Sequence, residues 1–178
     1  MDKNNGLALV DHFTRNSLNC FFVIACSLGN SLKIDDLHSY IVSNDLHVID
    51  VVENWLHDGI SDSEISLPSF TSYRSIVKSG KGGGVLLYVH NSLFPTIAQN
   101  LADLKTESVW CNIHVDNVKS LLVGCCYRSQ QHTDNEMDSL YSVIRVALAQ
   151  QVLIVVDFNF PHINWSSLES NDKFSHQF

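Results

Sequence analysis

Residues 152–156 read VLIVV and run straight into Asp157, with Asn159 two places further on. A short β-branched run of this kind suits a strand buried on both faces. Side chains at i and i+2 of an extended segment share a side. Asp157 and Asn159 are therefore expected together at the carboxyl end of a strand, where open α/β folds keep their chemistry. The competing reading of the same residues is a plain turn opening before Pro161, because Asp and Asn are common turn formers.

Six further apolar runs read as strands: Asn19–Cys26, Leu46–Val52, Phe70–Val77, Val85–His90, Ser108–Val115 and Ser120–Tyr127. Two segments read as helices. Ile34–Val42 carries Ile34, Leu37 and Ile41 at helical spacing, and Asp134–Gln150 places Met137, Leu140, Val143, Ile144 and Leu148 on one face. Thr133 and Glu136 have the spacing of a capping box before the second helix. A doubly wound sheet would alternate strands and helices more strictly. The central run of strands points instead to an α/β (α+β) chain in which two sheets pack together with helices outside them. KSGKGGG at 78–84 lacks the Lys-Ser/Thr pair of a phosphate loop and precedes a strand, so it reads as a flexible hairpin connection.

Composition narrows the class. A chain of 178 residues with 45% apolar and 17% charged residues is ordinary globular material. No apolar run approaches the roughly 18 residues that a membrane-spanning helix needs. The start MDKNNGLALVDHF lacks the basic, apolar and small-residue blocks of a secretory signal. The five cysteines contain no C-x-x-C pair, which favours free thiols in a reducing compartment. An intracellular, unsecreted protein is expected, in cytoplasm or nucleus. Residues 1–18 read as a loosely ordered extension and 19–178 as one domain. The net charge of −8 disfavours general nucleic-acid affinity, which is driven by counterion release.

Chemistry-bearing residues sit at strand ends. Glu53 closes HVIDVV as Asp157 closes VLIVV, and Tyr127 and Arg128 close LLVGCC. Two carboxylates able to hold a hard cation and orient a water are the minimum kit for metal-assisted phosphodiester hydrolysis. A phenol and a guanidinium suit phosphate oxygens.

The blocks ENWL, SDSEISLP, GKGGGVLLYV, ESVW, LLVGCCYR and VLIVVDFNFPHINW, in this order and spacing, resemble the endonuclease domain of LINE-type (non-LTR) retrotransposons. That domain belongs to the endonuclease/exonuclease/phosphatase superfamily, with the apurinic/apyrimidinic endonucleases. The resemblance runs from about Asn19 to Trp165. It implies a four-layer α/β/β/α sandwich and a Mg²⁺- or Mn²⁺-dependent nuclease that nicks DNA to prime reverse transcription. By position, Glu53 matches the metal-binding glutamate and Tyr127 the phosphate-contacting tyrosine. Asp157 matches the aspartate that orients or deprotonates the attacking water, and Asn159 the asparagine that contacts the phosphate and holds that aspartate. Arg128 and Arg74 are further candidates for phosphate or DNA contact.

Several departures qualify that expectation. Ile24 stands where the family has a metal-side asparagine, and Cys26 where it has an arginine. Val52 replaces a threonine, Ile76-Val77 an Asp-Arg pair, Ser129-Gln130 two prolines and Val156 a glycine. Asp50 lies inside a strand at a normally small or apolar position. The family's later Ser-Asp-His motif does not occur in the sequence, so its C-terminal strands are expected to be missing. The expected function is an endonuclease domain fragment that is impaired or inactive and binds its cation weakly. DNA is a weak partner, a reverse transcriptase domain belongs to the parent element, and an open sheet edge invites self-association. The competing function is a non-enzymatic remnant or repurposed interaction domain. A phosphoinositide phosphatase branch is disfavoured by GKGGGVLLYV and NFPHINW.

Overall fold

The computed structural model describes residues 17–29, 31–75, 82–101, 106–115, 120–160, 163–164 and 166–167. The proposed extension over 1–18 falls almost wholly outside these residues, as do Ile76-Val77, Pro161 and Trp165. Two sheets carry the fold. In the first, the strand order is β1 (Cys20–Ile24), β2 (Val48–Val52), β4 (Val85–His90), β3 (Phe70–Ser75). In the second it is β5 (Thr96–Ile97), β6 (Glu107–His114), β7 (Ser120–Tyr127), β8 (Val152–Asp157). The pairs β1–β2 and β7–β8 are parallel, and the other four pairs are antiparallel.

Helix α1 (Ser31–Asn44) covers the first sheet, with Ile34, Leu37 and Ile41 packed on Ile49, Val51, Leu86 and Tyr88. Helix α2 (Asp134–Ala147) covers the second, with Leu140, Val143, Ile144 and Ala147 against Leu122, Val152, Ile154 and Val156. Between the sheets lie Val48, Val52, Val85, Leu87, Val89, Val109, Cys111, Ile113, Val123 and Cys125. Strand period then decides everything else: alternate residues face the helix or the opposite sheet. Every residue of β2 is buried because both its faces are covered. The chain is thus an α/β/β/α sandwich, as expected.

Helix α1 is longer at both ends than its apolar stripe predicts, and α2 stops at Ala147, where a turn begins. The Thr133–Glu136 capping box is formed in both directions. Strand β1 ends at Ile24 because Cys26 and Ser27 are left-handed, with φ of 46° and 84°. Lys33 holds that turn, donating from Nζ to the carbonyls of Ala25, Cys26 and Ser27 at 2.8, 3.1 and 2.8 Å. The two-residue strand β5 carries no sequence signal long enough to read.

Two positions behave differently from their sequence reading. Val156, which stands where the family has a glycine, points at α2, because it sits one place before Asp157 on an alternating strand. Asp157 and Asn159 do not share an extended strand. Strand β8 ends at Asp157, Asn159 turns left-handed (φ 46°), and its backbone N–H donates to Asp157 Oδ1 at 3.0 Å. The turn reading is the one realised, as an Asx turn.

Candidate active site

Parallel and antiparallel pairing bring seven strand ends to one rim of the sandwich. The carboxyl ends of β1, β2, β3, β7 and β8 lie there with the amino ends of β4 and β6. Across the second sheet, Glu107 pairs with Tyr127 and Tyr127 with Asp157, so the three stand in one row. Cross-strand partners share a face, and Tyr127 faces the intersheet core. Glu53 descends from the first sheet to meet the middle of this row.

The contacts are dense. Tyr127 donates its hydroxyl hydrogen to Glu53 Oε1. The Trp55 indole N–H donates to Glu53 Oε2 at 2.7 Å, and the Gly83 backbone N–H donates to the same oxygen at 3.0 Å. Asn159 Nδ2 reaches the Tyr127 hydroxyl at 3.4 Å, while Gln130 Nε2 donates to Asn159 Oδ1 at 3.0 Å. The residues proposed from sequence as catalytic or metal-binding, Glu53, Tyr127, Asp157 and Asn159, are thereby brought together.

The backbone is bent to achieve this. Glu53 and Trp55 are both left-handed, with φ of 53° and 55°. Such residues cost of order 1–3 kcal/mol and persist only where surroundings over-determine them. Here the surroundings are explicit: Ser27 N–H holds the Glu53 carbonyl at 2.9 Å, and Trp55 N–H holds the Gly83 carbonyl at 3.1 Å. Gly83 itself has φ 78°, and a Cβ there would fall 2.6 Å from Glu107 Oε2. The glycine string 82–84 is therefore a close-packed clamp, with Gly83 N–H on Glu53 and Gly84 N–H on Glu107.

Electrostatics follow from those contacts. Burial works to raise the Glu53 pKa, but hydrogen bonds from Tyr127, Trp55 and Gly83 outweigh it and hold the carboxyl below its usual range. Burial first, and then the Glu53 bond, push the Tyr127 phenol well above its ordinary value, so it stays a donor. Burial raises Glu107, opposed by the Gly84 N–H and reinforced by the charges of Glu53 and Glu136. His132 lies 4.0 Å from Glu107, yet burial lowers its pKa and keeps the imidazole mostly neutral at pH 7.

Glu107 was not singled out from the sequence, although ESVW was. Its signal lay in pairing SVWCNIHV with SLLVGCCY as a hairpin, which sets Glu107 opposite Tyr127. Arg128, considered for phosphate contact, is buried. Its guanidinium donates to the carbonyls of Phe158 and Asn159 at 3.3 and 3.0 Å and lies 4.0 Å over the Phe160 ring. Arg74 pairs with Asp62 at 2.8 Å and lies across from Leu86, whose side chain belongs to the α1 side of the first sheet. It is not part of the rim cluster.

A hard divalent cation needs several oxygen ligands. A carboxylate oxygen has two lone-pair sites, and both of those on Glu53 Oε2 are taken by N–H donors. Ile24, beside Val52 and 52% exposed, offers only carbon. Among the described residues no group of three His, Cys, Asp or Glu side chains comes together as a metal site. The Mg²⁺ or Mn²⁺ that the resemblance implies does not fit these residues as a preformed site.

Comparison with solved structures places this architecture. No family model matches the sequence, and no curated protein does. The endonuclease domain of TRAS1, a telomere-specific non-LTR retrotransposon, superposes with a TM-score of 0.65 at 9% identity, over 90% of this chain and 67% of that one. The AP endonuclease LMAP from Leishmania major gives 0.61 at 12%, over 89% and 59%. The 3′ phosphatase NExo from Neisseria, solved with a product DNA hairpin, gives 0.56 at 11%, over 83% and 60%. The fold is that of the endonuclease/exonuclease/phosphatase proteins, a retrotransposon endonuclease among them. This chain spans about three-fifths to two-thirds of the length of these neighbours. No helix among the described residues is long and apolar enough to cross a membrane.

Proposed function

We propose that this chain is a retrotransposon-derived endonuclease domain fragment that retains a phosphate-facing site and has lost most hydrolytic power. The observation that carries the reading is the linked set Glu53–Tyr127–Asn159–Asp157, assembled from three strand ends of both sheets. Asp157, at the end of β8, is the group to orient a water. Tyr127 and Asn159 supply the polar atoms for a phosphate, and Arg128 acts on them indirectly by holding the carbonyl of Asn159. DNA as the partner is supported by the product DNA in the NExo structure. The acidic balance of −8 makes that binding weak, because few phosphates are neutralised and little counterion release drives it.

Impairment is supported by Ile24 at the metal side and by the occupied Glu53 oxygens. Loss of one preorganised group costs about a hundredfold or more in rate. Supercoiled plasmid incubated with and without Mg²⁺ tests the reading, with DNA binding followed at low salt. The expectation is weak binding and no nicking above background. Robust Mg²⁺-dependent nicking that disappears in Asp157→Asn would overturn the impairment. Absence of any DNA binding would leave the second reading, a repurposed interaction domain.

That second reading is favoured by the edges. β1 and β8 are the terminal strands on the same side of the two sheets, and Phe22 and Ile24 of β1 are 39% and 52% exposed. Among the described residues no strand pairs with the outer edge of β1 or β8, and such edges pair with other chains. Self-association there, or contact with a reverse transcriptase domain of a parent element, belongs to this proposal and is tested by sedimentation.

A further inference from the structure

Glu53 is the carboxylate that would meet a cation in the proposal above, and the inference rests on that reading of it. Its surroundings show more than a missing ligand. Three donors from three separate segments converge on one side chain: the Tyr127 hydroxyl from β7, the Trp55 indole from the turn after β2, and the Gly83 amide from the turn before β4. Two of these donors bind Oε2 and one binds Oε1. A carboxylate satisfied in this way has its negative charge stabilised by hydrogen bonds, and a cation would have to break them to enter. Trp55 is 40% exposed, so this donor is held at the surface and not in the core. The clamp is itself pinned by the Trp55 N–H to Gly83 carbonyl bond and by Gly84 N–H on Glu107.

We propose that Tyr127, Trp55 and Gly83 form a latch that holds Glu53 by hydrogen bonding in place of a hard divalent cation, and that the two side chains control whether such a cation enters. Tyr127 and Trp55 are then positioning residues for Glu53. Removing one charge-assisted donor frees a lone pair and leaves the carboxylate in need of a counter-charge. Each single removal is expected to tighten cation binding about tenfold.

The test is a titration of the full chain and its Tyr127→Phe, Trp55→Phe and Glu53→Gln variants with Mn²⁺. Free Mn²⁺ is read by electron paramagnetic resonance and heats by calorimetry, with melting curves confirming that each variant is folded. The latch predicts weak binding by the parent chain and roughly tenfold tighter binding by each of the first two variants. The added affinity is lost in the double variants that also carry Glu53→Gln. Equal affinity in parent and variants, or tight binding by the parent chain, overturns the latch. DNA binding and nicking are read separately. A chain that binds no DNA yet shows the unlatched gain would sink the proposed function while the latch stands.

Discussion

Tyr127 reaches from the second sheet to Glu53 of the first, a contact between residues 74 positions apart in the chain. It is the point at which the two halves of the candidate site become one object. The bond also sets the acid response of the fold. Glu53 has a folded pKa below its ordinary value, so its contribution to stability is full above the unfolded pKa near 4.5 and is lost as pH falls through the folded one. Glu53→Gln should therefore lower the melting temperature at pH 7–8 and flatten the acid side of the profile, the two chains converging as pH falls. An unchanged acid limb would show that the bond carries no net free energy.

Asp50 has the opposite sign. It alternates with Val48 and Val52, so its carboxylate points between the sheets, fully buried. No nitrogen or oxygen donor reaches it among the described residues; the Cys125 thiol, a weak donor, lies against it, and Cys111 faces the same core. Burial pushes its pKa up to about 7. A raised carboxylate holds its proton in the folded state, so the contribution of Asp50 to stability is full below about pH 4 and is lost as pH rises towards 7. Above that the cost of the buried charge is on the order of 4 kcal/mol. Asp50→Asn should raise the melting temperature at pH 8 and remove the decline between pH 4 and 7. A variant no more stable than the parent at pH 8 would mean that water or a donor satisfies the carboxylate.

Gly124 lies directly across from Trp110, and a Cβ there would sit 2.2 Å from the indole ring. The ring cannot retreat, because its N–H donates to Ser108 Oγ at 3.1 Å and its body packs under α2. Gly124→Ala should cost about 1–3 kcal/mol by overpacking. Denaturant unfolding reads this, and combining it with Trp110→Leu should recover part of the loss. Additive losses would show that the clash is relieved elsewhere.

Arg128 is buried between Phe160 and the carbonyls that follow β8. A guanidinium suits this geometry, since it stacks on a ring and donates in a fixed fork. Arg128→Lys should lower stability by roughly 1–3 kcal/mol at every ionic strength. If Arg128 instead met phosphate directly, the substitution would leave stability unchanged and reduce the salt dependence of DNA binding.

Much of this molecule was legible along the chain because its causes are local. Strand runs such as VLLYVH and SLLVGCCY, the stripes of α1 and α2 and the Thr133–Glu136 cap follow from side-chain period and turn chemistry, which act over a few residues. The strand-end positions of Glu53, Tyr127 and Asp157 were equally readable, and the anomaly of Asp50 inside a strand was visible at once. The sequence could not decide which strand ends meet. That depends on sheet order and on register across the sandwich, where shifting by one residue reverses every face. Tertiary pairing alone put Glu107 beside Tyr127, turned Val156 towards α2 and buried Arg128 beneath Asn159. It also brought Trp55 and Gly83 onto one carboxylate oxygen, because a hydrogen bond exists only where separate segments come within about 3 Å of each other.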